Sequence, residues 1–288
     1  MLHAFTVDVE DWFQGIPIAE AVRAAAEPRL GIGLNRLLDL MAAHGHRGTF
    51  FLLGPVAEAH PQLVRRMIAE GHELGCHGWS HDLVYTMTPA RFREETRRAM
   101  DAITDLTGKP VTAYRAAYFS ITRESWWALE ELVGLGFRYD SSIIPVRNWR
   151  YGIPDFPPRP QRLTTAAGPI LELPISVRRI LGRNLPAAGG AYFRIYPYAL
   201  TRANIRVLEA AGTPVVFYLH PWELDPGHPR VRFHWKAWAT HYLNLRRTED
   251  RLRRMLGEFR FAPLCEVLEH ELDGAASTSP LAAPAGSP

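Results

Sequence analysis

The fold is decided by a strand that runs directly into acidic residues, Ala4-Phe5-Thr6-Val7-Asp8-Val9-Glu10-Asp11. Its β-branched and aromatic residues are typical of a buried strand. Further along, an apolar strand at 48–54 is followed by a helix from Pro61 to Gly71, and a strand at 72–77 ends in a histidine. Strands that alternate with helices indicate parallel βα units, whose active sites lie at the carboxyl ends of the strands. Polar residues that follow the predicted strands are therefore candidates for catalysis.

The alternation continues along the chain and loosens once. Further predicted elements are helices at 88–106, 124–135, 200–211 and 246–259, and strands at 111–114, 170–175 and 215–219. Residues 146–197 are dense in Pro and Gly and predict an elaborated loop region that walls a substrate groove. The Ala/Ser/Pro/Gly tail from residue 274 is expected to be disordered. We therefore predict an α/β fold in a single domain over residues 1–273.

Composition excludes several classes of protein. The 288 residues are 47% hydrophobic and 22% charged, which is ordinary for a soluble enzyme. The formal charge of +3 is too small to argue for a nucleic-acid partner. No leader precedes the first strand, no apolar run reaches the ~18 residues of a membrane span, and two cysteines make no disulfide framework. We expect a cytoplasmic protein that is not integral to a membrane and is at most peripheral to the inner membrane.

The first candidate site is the acidic cluster of Asp8, Glu10 and Asp11. On a strand Asp8 and Glu10 share a face. Crowded carboxylates repel one another, so a bound cation or an arginine is the usual reason to keep them together. The alternative is a solvated turn or a helix cap. Trp12 follows the cluster directly, and an aromatic ring at a loop mouth suits the wall of a sugar site.

The second candidate site is His77-Gly78-Trp79-Ser80-His81. The His-x-x-x-His spacing on a helical turn aims two imidazoles at one ion, although among 12 histidines the spacing alone is weak. The pair follows a strand, as the acidic cluster does. Two imidazoles with one carboxylate leave positions open for water and substrate, whereas a closed structural site needs four protein ligands. This arrangement favours a catalytic metal.

Three more strand-end residues carry charge or titrate. Arg115 ends one strand, where it can pair with Asp8 and hold that carboxylate ionised, or simply lie at the surface. Asp140 ends another strand and otherwise caps a turn. His220 follows the apolar strand 215–219, where a lone histidine is more often a satisfied core group. Its position at the same predicted rim favours a role in the site.

Taken in order, these motifs resemble the polysaccharide deacetylase family, which is carbohydrate esterase family 4 with the NodB homology domain. The resemblance covers residues 2–265 and is closest to the subgroup found with exosortase and PEP-CTERM exopolysaccharide gene clusters. The matching motifs are 6–11, 77–81, 115–118, 139–142 and 219–221. Residues 146–265 include what resembles the extension of that subgroup.

The resemblance implies a distorted (β/α) barrel of about seven parallel strands and a divalent metal, usually zinc. It also implies a role for each residue. Asp8 is the general base, an acidic neighbour with His77 and His81 binds the metal, His220 is the general acid, Arg115 orients Asp8, Asp140 supports His220, and the Tyr118 N–H helps form the oxyanion hole. Trp12 and Trp222 are the expected substrate-wall aromatics.

The sequence departs from the family pattern at two positions. Val9 stands where the family has a second aspartate, so Asp-x-acid spacing assigns the metal carboxylate to Glu10, with Asp11 as the alternative. Ala117 stands where the third motif usually has Pro. The loss of a fixed φ leaves the oxyanion loop less preorganised, although its N–H donors remain.

The predicted function is metal-dependent hydrolysis of the N-acetyl amide C–N bond of amino sugars in a polysaccharide or its oligosaccharide precursor. The partner is then an N-acetylated glycan. Flat aromatic faces stack on pyranose rings, and the candidates are Trp12, Trp79, Trp149, Trp222 and Trp235. One alternative is a related amidohydrolase that acts on a small amide. Another is a catalytically silent carbohydrate-binding protein of an exopolysaccharide assembly system.

Overall fold

The computed structural model of the chain describes residues 1–148 and 150–273. Its strands in these ranges are β1 (Leu2–Val9), β2 (Thr49–Leu52), β3 (Glu73–Cys76), β4 (Ala113–Tyr114), β5 (Tyr139–Asp140), β6 (Gln161–Thr165), β7 (Gly168–Glu172), β8 (Val177–Ile180), β9 (Arg183–Pro186), β10 (Val216–Leu219) and β11 (Arg260–Ala262). Its helices are α1 (Glu20–Ala24), α2 (Leu30–Ala43), α3 (Gly54–Ala59), α4 (Pro61–Ala69), α5 (Pro89–Thr107), α6 (Trp127–Gly134), α7 (Gly190–Ile195), α8 (Tyr198–Ala210), α9 (Trp235–Tyr242), α10 (Thr248–Glu258) and α11 (Leu264–Asp273). Trp149 and the tail predicted to be disordered lie outside the described residues.

One sheet organises the molecule. Its order is β10-β1-β2-β3-β4-β5-β7-β6, with β11 beside the start of β1. The seven strands from β10 to β7 are parallel, and β6 runs antiparallel to β7. The predicted α/β fold with about seven parallel strands is therefore confirmed. Helices cover the sheet, and the main apolar core draws on residues from Phe5 to Phe261.

The barrel is distorted at one place. No ladder joins β10 to β7 among the described strands. Ser176 bridges this gap instead, because its hydroxyl accepts from the N–H of Val216 at 2.8 Å and its carbonyl accepts from the N–H of Ala187 at 2.9 Å. Backbone polar groups that a ladder would pair are thus satisfied by a loop.

Local sequence signals explain the regular elements well. Helix α5 begins with Pro89 after an N-cap Thr88, whose hydroxyl accepts from the N–H of Arg91, and it ends at Gly108 with φ of 65°. An N-cap of this kind typically contributes about 1 kcal/mol. The region 146–197, predicted as loops around one strand, instead contains two hairpins, β6–β7 and β8–β9. Strands of four or five residues are too short to show a clear alternation. In the described part of the chain, every helix is too short or too polar to cross a membrane.

The strand register gathers the candidate residues at one edge of the sheet. Val7 pairs with Leu219, and Cys76 pairs with Tyr114. Glu10, His77, Arg115 and His220 each come directly after the last residue of a strand. Because all of these strands are parallel, their carboxyl ends meet, and Asp8 and His220, which are 212 positions apart, become neighbours.

Candidate active site

Glu10, His77 and His81 form a compact cluster at the end of β1 and β3. The Oε1 atom of Glu10 lies 3.0 Å from Nε2 of His77 and 2.8 Å from Nε2 of His81. The Nδ1 atom of His77 lies 2.8 Å from the backbone carbonyl oxygen of Arg115. A carbonyl can only accept, so Nδ1 carries a hydrogen, and Nε2 is the ring atom that faces the carboxylate. Three ligand atoms within 4.8 Å of one another then need protons or a cation between them.

The charge of this cluster is set by its own members. Burial raises the pKa of Glu10, but the charge of His81 and the hydrogen bonds from both histidines hold that pKa well below its usual range. The carboxylate therefore remains ionised. One anionic oxygen and two imidazoles, with open positions beside them, form a donor set that suits a catalytic divalent metal such as zinc.

Asp11 is placed elsewhere, although it was the alternative metal carboxylate. Its Oδ1 accepts from the N–H of Trp12, and its Oδ2 accepts from the N–H groups of Arg29 at 2.7 Å and Leu30 at 3.0 Å. These donors lie at the start of α2, where a carboxylate satisfies free N–H groups and the helix dipole. Asp11 thus holds the helix start, and Glu10 alone of the pair meets the histidines.

Asp8 and Arg115 form a buried ion pair beside the metal-ligand cluster. Nη1 of Arg115 donates to Oδ1 of Asp8 at 2.9 Å and to Oγ1 of Thr6 at 2.8 Å. The other guanidinium nitrogens donate to the carbonyl and hydroxyl oxygens of Ser141 at 3.0 and 2.9 Å. The second carboxylate oxygen of Asp8 lies 3.9 Å from Nε2 of His220. One oxygen of Asp8 is therefore fixed, and the other faces His220.

His220 has a carboxylate partner that the sequence analysis missed. Its Nδ1 lies 2.9 Å from Oε1 of Glu223, which also accepts from the backbone N–H of His220 at 3.0 Å. Burial by itself lowers the pKa of His220, but the hydrogen bond to Glu223 and the charges of Glu10, Glu223 and Asp8 raise it to about 9. Arg194 donates from Nε to the other oxygen of Glu223 at 2.5 Å. His220 is thus held as an imidazolium.

Asp140 was expected to support His220 and makes different contacts. Its Oδ1 accepts from the hydroxyl of Ser142 at 2.5 Å. Its other contact is Glu172, whose pKa is raised well above its usual range by burial and by the neighbouring charge of Asp140. Asp140 and Glu172 are thus a buried acid pair in which burial favours the protonated form of Glu172. The expected contact with His220 is made by Glu223 instead, because Glu223 lies on the same turn as the histidine.

The turn after β4 carries unusual backbone geometry. Tyr118 has φ of 55°, Phe119 has φ of 53°, and the nearby metal-ligand candidate His81 has φ of 60°. Residues other than glycine rarely adopt this region, and each such residue costs on the order of 1–3 kcal/mol. The hydrogen bonds that close the turn use the N–H groups of Phe119 and Ser120. Strain of this kind concentrates at functional sites, which fits the oxyanion role predicted for the Tyr118 N–H.

Several of these groups open into one cavity of about 680 Å³. Its lining includes Asp8, Glu10, His81 and Tyr118 from the first half of the chain and Arg150, Tyr151, Arg194, Tyr218, His220, Trp222 and His241 from the second. The volume lies within the ~300–1,000 Å³ that is typical of small-molecule sites. The prediction that the region 146–197 walls a groove agrees with this lining.

The tryptophans predicted as sugar platforms have other contacts. Trp12 is 2% exposed, packs in an apolar cluster with Ile16, and donates its Nε1–H to the carbonyl of Glu27. Trp222 lines the cavity but stacks on the rings of His220 and His241, with ring centroids 5.2 and 4.1 Å away. The indole is therefore packed largely against imidazoles. The remaining rings around the cavity are Tyr118, Phe119, Tyr151, Tyr218 and Phe233.

Comparison with known proteins gives two family matches and a common fold. Residues 33–137 match the family model described as "Polysaccharide deacetylase", and residues 141–269 match a "Domain of unknown function (DUF3473)". A chitin deacetylase from Pestalotiopsis sp. is 33% identical over 120 residues, which are 41% of this chain and 39% of that protein. The chain spans less than half of the length of the first curated relatives that it matches.

Two solved structures resemble nearly the whole chain. A putative polysaccharide deacetylase from Mycobacterium smegmatis superposes with a TM-score of 0.66 at 20% identity, covering 96% of this chain and 93% of that one. PuuE allantoinase superposes with a TM-score of 0.63 at 16% identity, covering 96% of this chain and 91% of that one. At these identities the likeness establishes the fold alone. Residues 33–137 therefore match the polysaccharide deacetylase family, and nearly the whole chain shares the fold of these two structures.

Proposed function

We propose that the protein is a metal-dependent hydrolase that removes N-acetyl groups from the amino sugars of a polysaccharide or of its oligosaccharide precursor. The observation that carries the proposal is the presence of two neighbouring sets of groups, most of whose members line one cavity. The first set is Glu10, His77 and His81, and the second is Asp8 and His220. A silent binding protein has no need for a fixed carboxylate and a charged imidazole beside a metal-ligand set.

A divalent cation fits the first set. Glu10, His77 and His81 would hold it, and the crowded acceptor atoms between them give a reason for its presence. When bound, the cation would polarise the acetyl carbonyl and lower the pKa of a nearby water. Two imidazoles and a single carboxylate favour zinc over the harder magnesium and calcium ions, which prefer oxygen ligands.

Asp8 would act as the general base. Arg115 binds one of its oxygens, so the carboxylate is held in one orientation. The free oxygen takes a proton from water as the water oxygen attacks the acetyl carbonyl carbon. The backbone N–H of Tyr118 would donate to the oxygen that becomes negative.

His220 would act as the general acid. Its Nδ1–H is occupied by Glu223, so Nε2–H points toward Asp8 and the cavity. This proton passes to the amide nitrogen as the C–N bond breaks, which releases acetate and leaves a free amine on the sugar. The short separation of acid and base places both beside a single amide group.

The substrate class follows from the resemblance and the cavity. Deacetylase relatives support an acetylated glycan, and the likeness to an exosortase-associated subgroup favours an exopolysaccharide precursor. The tyrosine rings of residues 118, 151 and 218 are among the aromatic rings of the cavity on which sugar rings could stack. We further propose a cytoplasmic location, since Cys76 and Cys265 are both free thiols.

The test is acetate release from a panel of N-acetylated glucosamine oligomers by zinc-loaded protein, with allantoin and simple amides as competing substrates. Asp8→Asn and His220→Ala should each lower kcat by ~10²–10⁴-fold while the fold survives, because each removes one proton-transfer group. Turnover of the small amides alone would make the protein an amidohydrolase of another class. Stoichiometric zinc without acetate release from any glycan would favour a binding protein.

A further inference from the structure

We infer that Glu223, fixed by Arg194, is the positioning residue of His220, and that the domain of unknown function supplies this pair to the active site. The inference rests on the proposed function, in which His220 is the acid. It differs from the role that family resemblance gives to Asp140. It also implies that the segment 141–269 contributes residues to the proposed reaction itself.

Glu223 uses both of its oxygens. Oε1 accepts from the backbone N–H and from Nδ1 of His220, and Oε2 accepts from Nε of Arg194. The carboxylate is 1% exposed, so water does not compete for these bonds. Because the same oxygen binds the backbone and the ring of His220, it fixes the ring relative to the main chain. The ring can then present only Nε2 to the cavity.

Arg194 is itself fixed by backbone. Its Nη1 donates to the carbonyl oxygens of His241 and Leu243 at 2.9 Å each, and its Nη2 donates to the carbonyl of Thr240 at 2.7 Å. These carbonyls lie at the end of α9, where helix carbonyls lack intrahelical partners. A guanidinium does not lose its proton in proteins, so the partner of Glu223 stays charged. Arg194 thus links α7 and α9 to the turn that carries His220.

The charged and titratable groups that face His220 come from three sides. Asp8 and Glu10 face it from the end of β1, Glu223 from its own turn, and His241 from α9 across the ring of Trp222. A cation bound by Glu10 would offset that carboxylate, and Arg115 already shares the charge of Asp8. Glu223 is then the carboxylate that remains in direct contact with the imidazole. The sequence Leu219-His220-Pro221-Trp222-Glu223 carries this relation in a single turn.

Asp140 has no comparable contact with the histidine. Its hydrogen bonds go to Ser142 and Glu172, and the charges that act on His220 are those of Glu10, Glu223 and Asp8. Asp140→Asn is therefore a matched control for Glu223→Gln, because each change replaces one buried carboxyl by its amide. The two variants distinguish the two candidate partners directly.

The experiment measures the titration of His220 and the pH profile of the enzyme together. In zinc-loaded protein with ¹⁵N-labelled histidine, NMR follows the His220 ring, assigned by comparison with His220→Gln. We expect Glu223→Gln to lower the His220 midpoint by at least one pH unit, and Asp140→Asn to leave it unchanged. The alkaline limb of kcat should move to lower pH by the same amount in Glu223→Gln. At neutral pH, kcat should fall ~10²-fold with KM within about threefold, because proton donation rather than binding is impaired.

Two further outcomes distinguish a failure of this inference from a failure of the proposed function and from a variant that does not fold. A His220 midpoint that follows Glu223 without any acetate release would refute the deacetylase proposal and leave the positioning role standing. If Glu223→Gln does not fold, Glu223→Asp retains a charge for Arg194 and should still lower the His220 midpoint. A midpoint unchanged in the variant that folds, or one moved by Asp140→Asn instead, overturns the inference.

Discussion

Replacing Arg115 by methionine tests a fully buried charge of the site. Arg115 is fully buried and gives hydrogen bonds to Asp8, to Thr6 and to two oxygens of Ser141. Methionine fills much of the same volume but donates nothing, so Asp8 is left as a buried charge without its partner. Loss of one member of a buried ion pair costs about 3–5 kcal/mol, a large part of the ~5–15 kcal/mol stability of a typical domain.

Urea unfolding followed by circular dichroism, at fixed zinc concentration, measures this loss. The midpoint should fall with an unchanged slope, which indicates a change in stability and not in the denatured state. Asp8→Asn removes the orphaned charge, so the double variant should be less destabilised than the sum of the single ones by ~0.5–3 kcal/mol. Arg91→Met is the control, because Arg91 pairs with Asp82 and Glu95 at the surface and should cost less than about 1 kcal/mol. Equal effects at the two arginines, or strictly additive effects of the Asp8 and Arg115 changes, would refute the reasoning.

Glu10→Gln should abolish stoichiometric zinc in elemental analysis, whereas Asp11→Asn should keep zinc and lose about 1 kcal/mol of stability, because its carboxylate holds the start of α2. Equal zinc loss in both variants would contradict this division. Gly33→Ala should destabilise the fold by at least ~1–3 kcal/mol and lower kcat, because its Cβ would lie 1.9 Å from the carbonyl oxygen of Pro221, next to His220. Gly257→Ala, whose Cβ meets nothing within 4 Å, is its control in the same unfolding assay. Burial raises the pKa of Glu223, but Arg194 and His220 outweigh it and lower that pKa from 4.5 to about 2. Because the folded pKa is depressed, the stability due to this carboxylate is present above 4.5 and is lost as pH falls toward 2. The difference in unfolding free energy between wild type and Glu223→Gln should therefore shrink over that range, and a difference that does not change with pH would contradict the assignment.

The sequence predicts structure well where the spacing of apolar residues, or a residue that caps or ends a helix, determines the element. The strand that carries Asp8, the helix capped by Thr88 and the positions of polar residues after strands all follow from such signals. Strand alternation even separates Glu10, on the face of Asp8, from Asp11. It does not reveal that Asp11 meets the start of a helix some 18 residues later, because that contact depends on how the intervening chain returns.

The failures have a common physical origin. Trp12 was expected to face a sugar because large aromatic rings at loop mouths often do, but it is buried in an apolar cluster, and such packing is not specified by one sequence. Trp222 lines the cavity as expected of a wall residue, although it also stacks on His241. The partner of His220 was assigned by family position to Asp140. Its actual contact, Glu223, lies three residues away on a short turn whose geometry is held by Arg194 from a separate helix. The spacing of residues along the chain does not predict that Arg194 contacts Glu223, which lies 29 residues later.

The proposed catalytic residues are not confined to one of the two segments that match family models. The deacetylase match covers His77, His81 and Arg115, but Asp8 and Glu10 precede it, and His220 lies in the domain of unknown function. Strand β10 of that domain pairs with β1 at Val7 and Leu219, which is what brings the free oxygen of Asp8 within 3.9 Å of Nε2 of His220. Without β10, the proposed base would have no acid opposite it, and β1 would expose an unpaired edge along one side. The second half of the chain is therefore part of the barrel and of its proposed chemistry, and substitutions in the two halves should act on the same catalytic step.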